Sequence, residues 1–202
     1  MAQPQPDAAR VPQMTPDPHP WACELVTLHD HAWQRLVRGV HDRHAPARHP
    51  TLATVSPDGL PKARTVVLRA ADQSAGRLEI HTHLHSAKIA DLTATPVAAL
   101  HVWDSGSRLQ IRLEADVAIA TGPDVAASWA RVPEHSRSAY SSSQRPGHPI
   151  PGALDHAQQA DPAVFAVLSL DIRAMELLHL GADHRRAQFT RASYWAGQWL
   201  VP

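Results

Sequence analysis

From Arg108 to Thr121 apolar and polar residues alternate, with Leu109, Ile111, Leu113, Val117 and Ile119 on one side and Arg108, Gln110, Arg112, Glu114 and Asp116 on the other. A period of two is the mark of a strand with one face on a core. Between Glu24 and about His44 the period changes. Leu25, Leu28, Ala32, Trp33, Leu36, Val37 and Val40 recur at three- and four-residue steps, which predicts an amphipathic helix closed by Pro46.

Short strand patterns fill much of the remainder. TLATV and LPKARTVVLRA flank a turn built on Pro57, Asp58 and Gly59 and read as a hairpin. Arg77 to His83 is a third strand, with Leu78, Ile80 and Thr82 on one side and Glu79, His81 and His83 on the other. Ser86 stands at an N-cap position before a short helix stopped by Pro96, and Val97 to Trp103 is a fourth strand. Pro123 opens a helix through Trp129, and the polar run after it reads as loops and short turns. Ala163 to Leu170, Ile172 to His179, Arg185 to Arg191 and Tyr194 to Val201 supply three or four more strands. Without a βαβ rhythm or a GxGxxG, the pattern is mainly β, an antiparallel barrel decorated by an N-terminal helix and short connecting helices.

Composition narrows the function classes. Nineteen basic residues balance nineteen acidic ones, so nothing at the level of the whole chain draws nucleic acid or an anionic membrane. No apolar run reaches the roughly 18 residues of a membrane span. Six prolines among Met1 to Pro20 predict a disordered tail ahead of a single domain over residues 21–202. One cysteine, Cys23, and the lack of an apolar leader give a cytoplasmic expectation.

Chemistry concentrates between Arg64 and Lys88. Lys88 is one of two lysines in the chain and falls in the first turn of the Ser86 helix, where the helix dipole is already positive. A bound anion explains a cation there; a solvated surface lysine is the plain alternative. Arg64 and Arg69 are five apart, so on a regular strand they point to opposite faces, and both reach one ligand only if the strand twists or bulges. His81, His83 and His85 alternate in a chain with 15 histidines, which raises a metal site as a rival, although the helix at Ser86 should turn His85 off the row.

Four motifs in order, RTVVLR (Arg64 to Arg69), IHT ending at Thr82, SAK ending at Lys88 and LQIR containing Gln110, resemble the pyridoxamine 5'-phosphate oxidase family of FMN-binding split-barrel proteins from about Pro50 to Pro202. The ending WAGQWLVP is similar to that of many members. The resemblance implies an FMN-binding split barrel, an FMN-dependent oxidoreductase acting on a small-molecule substrate, and a homodimer with FMN at the interface. It also implies a set of cofactor contacts: Arg64 and Lys88 on the phosphate, Thr65, Val66, Val67, Leu68 and Arg69 along the flavin, then His81, Thr82, Ser86, Gln110 and, across the dimer, Gln144. The relatives of this fold that bind flavin or haem without turnover define the alternative. Ala87 replaces the family's frequent arginine, and Ser128, Glu134, His184 and Gln188 stand where the vitamin B6 oxidases hold their substrate. Leu178 and His179 lie near the position of the family's aromatic. These departures place the chain in a subgroup other than the vitamin B6 oxidases themselves. No catalytic side chain is assigned.

Overall fold

A computed structural model describes residues 17–140 and 144–202. Most of the expected tail, residues 1–16, lies outside the described residues. Asp17 onward packs against the body, and Pro20–Cys23 form a 3-10 turn leading into helix α1, Leu25–His41. Nine strands follow: β1 Thr51–Val55, β2 Pro61–Thr65, β3 Leu68–Asp72, β4 Arg77–His83, β5 Val97–Asp104, β6 Leu109–Thr121, β7 Phe165–Leu180, β8 His184–Thr190 and β9 Gly197–Leu200. Between them lie α2 (Ala87–Ala94), α3 (Ala126–Arg131) and α4 (Glu134–Arg137).

All pairings are antiparallel. The sheet runs β2-β1-β5-β6-β7-β4-β3, with β8 also on β7 and β9 on β8. The long strand β7 makes this possible. One edge of it pairs with β6 along both strands, while the other edge pairs with β4 over Phe165–Asp171 and with β8 over Ala174–Leu180. Arg173 falls between the two halves and is skipped in the β6 register, which jumps from Ile172 opposite Ala115 to Ala174 opposite Glu114. A one-residue bulge bends a strand and raises its twist, so Arg173 marks the place where the sheet divides. Two separate strands were expected here; the chain runs straight through Asp171 as one.

Sequence alternation maps directly onto burial in β6, where Leu109, Ile111, Leu113, Ala115 and Val117 enter the core. Helix α1 covers that core with Leu28, Ala32, Trp33 and Leu36, each essentially inaccessible. Full burial of a leucine side chain contributes about 1.5–3 kcal/mol, so this face alone explains why the helix docks. Gly39 lets the helix approach the following turn: a Cβ there would lie 2.6 Å from the Ala47 carbonyl carbon.

Two expected strands are corrected. LPKARTVVLRA is not one strand, because β2 pairs with β1 while β3 pairs with β4 on the far end of the sheet path, with Val66 and Val67 crossing between them. The Val66 N–H bonds to the Pro50 carbonyl at 3.0 Å, outside both ladders. The last strand is shorter than Tyr194 to Val201, since Tyr194 and Trp195 both adopt positive φ (53° and 63°), a left-handed turn that no strand tolerates.

Candidate functional site

Helix α2 begins beside the C-terminal end of β4, and β2 brings Arg64 to the same place. Arg64 is paired in register with Leu52 of β1, so its side chain lies on the inward side of the edge strand, facing α2. There its guanidinium meets a buried carboxylate. Arg64 Nη2 is 3.1 Å from Asp91 Oδ2, Arg64 Nη1 donates to Thr54 Oγ1 at 2.6 Å, and the Thr54 hydroxyl donates to Asp91 at 2.6 Å. The closed triangle fixes one face of the guanidinium.

Lys88 stands next to it with no carboxylate of its own. Its ammonium donates to Thr82 Oγ1 at 2.9 Å and Ser86 Oγ at 3.2 Å, and among the described residues it forms no ion pair. Burial pushes its pKa down, the neighbouring Arg64 adds to the effect, and Asp91 opposes it. An anion placed between Arg64 and Lys88 would relieve that penalty. Ser86 takes the N-cap position but its hydroxyl does not cap the helix; it turns to Lys88 and Thr82 instead. The Ile89 N–H turns back to the Ser86 carbonyl at 2.9 Å, and the N–H groups of Ala87 and Lys88 have no acceptor among the described residues. Two cations, two hydroxyls and a helix N-terminus, against one carboxylate already engaged, fit a phosphate monoester in the donor set they offer.

On the outward side of β4 the environment changes. His81 Nε2 lies 2.7 Å from Glu79 Oε1, and the imidazole packs edge-on against Phe165 with ring centroids 4.9 Å apart. Tyr140 and Trp129, delivered by the segment containing α3 and α4, complete a small aromatic cluster with Phe165, Val125 and Val132. Arg69 belongs here rather than with Arg64: its Nη2 donates to the Tyr140 hydroxyl at 2.6 Å. The β3 register shifts between Leu68 and Ala70, so the chain has the break and the bulge that a shared ligand for the two arginines would require, yet Arg64 and Arg69 bond to different groups.

The expected contacts thus divide. Arg64, Thr82, Ser86 and Lys88 are brought together; Val66 and Val67 span the gap; Leu68 is buried in the core on β3; Arg69 and His81 form the second group; Thr65 is exposed on the edge. Gln110 lies on the outward face of β6, with Oε1 3.3 Å from His101 Nε2, and Gln144 is exposed just after residues 141–143. Sequence reasoning missed Thr54 and Asp91, which arrive from 37 residues apart. Only the buried position of Asp91 on a short helix could have signalled it. The three alternating histidines do not converge: His83 is buried, His85 is exposed, and no group of three or more metal-ligating side chains occurs among the described residues. His179 is fully buried at the other end of β7, walled by His19 and Trp21, so it offers no face to a flavin in this chain.

The fold is that of a split barrel. Residues 30–121 match the family model described as pyridoxamine 5'-phosphate oxidase, FMN-binding domain. Over that stretch, a little under half of its length, the chain is similar to the pyridoxamine 5'-phosphate oxidase-like FMN-binding proteins. Among curated relatives, the pyridoxine/pyridoxamine 5'-phosphate oxidase of Azorhizobium caulinodans is 38% identical over 122 residues, covering 59% of this chain and 56% of that protein. The same-named protein of Microcystis aeruginosa is 40% identical over 84 residues, 42% of this chain and 38% of its own length. The chain thus matches about half or less of these relatives. Two solved structures share the fold: a pyridoxamine 5'-phosphate oxidase-related, FMN-binding protein from Nostoc punctiforme (TM-score 0.70, 24% identity, 86% of this chain and 96% of that one), and PhzG from Burkholderia lata 383, in complex with tetrahydrophenazine-1-carboxylic acid (TM-score 0.63, 20% identity, 94% and 95%). No helix among the described residues is long and apolar enough to cross a membrane.

Proposed function

We propose that this protein is an FMN-dependent oxidoreductase acting on a small molecule as a cytoplasmic homodimer. The observation that carries the reading is the convergence of Arg64 and Lys88 with the hydroxyls of Thr82 and Ser86. Arg64, held from behind by Asp91 and Thr54, and Lys88, held by two hydroxyls, are the phosphate anchors. Val66 and Val67, crossing between β2 and β3 outside both strands, present main chain toward the ring. FMN supplies hydride acceptance and donation when bound. The outward faces of β1, β5, β6, β7 and β8 support the dimer: Thr51, His101, Arg112, Glu176 and Gln188 line a cleft of about 150 Å³ there, and Trp103 and Trp199 remain exposed on the surface. The subgroup's departures at Ser128, Glu134, His184 and Gln188 support a substrate other than a vitamin B6 phosphate. The test is an absorption spectrum of the purified protein after FMN loading and dialysis, followed by anaerobic addition of NADPH. Retained flavin bands that bleach support the reading. A Soret band, or flavin that never reduces with any donor, would replace it with a carrier role.

A further inference from the structure

The aromatic cluster on the outward side of β4 contains a polar atom with no partner among the described residues. Among the described residues His81 Nδ1 is buried without a hydrogen-bond partner, and the whole side chain is only 8% exposed. Buried polar groups are paired in the great majority of cases, so an orphan of this kind calls for a role. The other ring nitrogen identifies it. His81 Nε2 is 2.7 Å from Glu79 Oε1, and the Glu79 carboxyl is held below the usual range, chiefly by that bond to His81, against the opposing effect of burial. An ionised carboxylate only accepts, so Nε2 carries the hydrogen and Nδ1 holds the lone pair. A carboxylate orienting an imidazole whose far nitrogen is dry and unbonded is the arrangement of a general base. His81 and Thr82 are consecutive on β4, so the strand that turns Thr82 toward Lys88 turns the imidazole to the opposite face.

We propose that His81 is the proton acceptor of the oxidation and Glu79 its positioning residue, serving a substrate that gives up a hydride from carbon and a proton from the adjoining nitrogen or oxygen. This rests on the oxidoreductase reading. In the step, the substrate C–H and N–H (or O–H) bonds break and a C=N (or C=O) bond forms. The C–H electron pair leaves with its hydrogen as hydride to FMN, and the remaining proton moves to His81 Nδ1. The resulting imidazolium is stabilised through Nε2 by the Glu79 carboxylate. The Tyr140 ring, its centroid 6.2 Å from that of the imidazole and its hydroxyl bonded by Arg69, forms one wall of the site.

The test uses the full chain loaded with FMN. In protein labelled with ¹⁵N at histidine, with the His81 ring assigned by its loss in His81→Gln, the account expects a protonated Nε2 and a bare Nδ1 near neutral pH; a hydrogen on Nδ1 in place of Nε2 overturns it. Anaerobic flavin bleaching then compares two kinds of donor: a panel of small primary amines and alcohols, each of which yields a hydride and a proton, and NADPH, which yields a hydride alone. His81→Gln should slow the first at least about 100-fold more than the second, and Glu79→Gln about 10-fold more, the scale of general-base catalysis. Equal slowing with both donors, or bleaching of the unmodified protein by NADPH alone, overturns the proposal. Bleaching by neither donor overturns the oxidoreductase reading itself.

Discussion

The two ends of β7 carry two polar clusters made of similar residues that do opposite things. At the Phe165 end, Thr82 pairs with Ala166 and leads into the Arg64–Lys88 cradle. At the Leu180 end, His179 sits beneath His19 and Trp21, Trp21 stacks flat on His31 at 3.7 Å, and Arg185 pairs with Asp17. Cations and carboxylates at the second cluster are matched inside the protein: Arg185 with Asp17, and Arg35 with Asp104 while its Nε also donates to His31 Nε2. Only the first cluster leaves a half-buried cation, Lys88, with hydroxyls for company. Charge left over after local pairing separates a ligand site from a structural one, and the number of charged residues does not.

The contrast can be broken first at the cradle. Arg64→Ala and Lys88→Ala should each weaken FMN binding by about 1.5–3 kcal/mol, the scale of a charge-assisted hydrogen bond. Lys88→Ala should at the same time leave thermal stability of the unloaded protein equal or higher, because it removes a desolvated cation; titration calorimetry and thermal melts check the two effects.

A smaller effect is expected at the histidine end, with the opposite dependence. The pKa of His31 is pushed down to about 4, first by burial and then by Arg35, with Asp104 opposing and His19 and His179 adding repulsion. His179 and His29 are lowered too, each mainly by burial. Folded-state values below the unfolded ones mean that the unfolded chain takes up protons first as pH falls. Stability is therefore full above about pH 6.5 and declines from there toward pH 4. For His31, partly open to solvent that screens it, the loss should be about 1–2 kcal/mol, and His31→Gln should flatten it in urea melts at pH 7 and pH 5. The smallest change is Asp17→Asn, which removes a half-buried ion pair with Arg185 and should lower the melting temperature only slightly while leaving FMN affinity unaltered.

How far the residues themselves told this story depends on distance along the chain. The alternation of Leu109, Ile111 and Leu113 exposed β6, and the steps from Leu28 to Leu36 exposed α1, because both patterns are local. Arg64, Thr82, Ser86 and Lys88 were legible from the motifs that carry them, and the structure gathers them. The break at Val66 and Val67 was not legible, since two β-branched residues favour strand and the break is imposed by pairing with two different neighbours, β1 and β4. Continuity of β7 through Asp171 was hidden for the same reason, as its partner changes there. Thr54 and Asp91 were invisible because their link is made only by the fold. Glu79 and His81 were placed on one side of a strand by their spacing, yet their bond, and the orphan nitrogen behind it, appear only once Phe165 and Tyr140 close around them.

The cradle claim is tested most directly by titrating the protein with FMN and with riboflavin, which differ by the phosphate alone. Two charge-assisted anchors predict that FMN binds at least about 100-fold more tightly, with the gap shrinking as salt rises. Equal affinities for the two ligands would contradict the assignment of Arg64 and Lys88 to the phosphate.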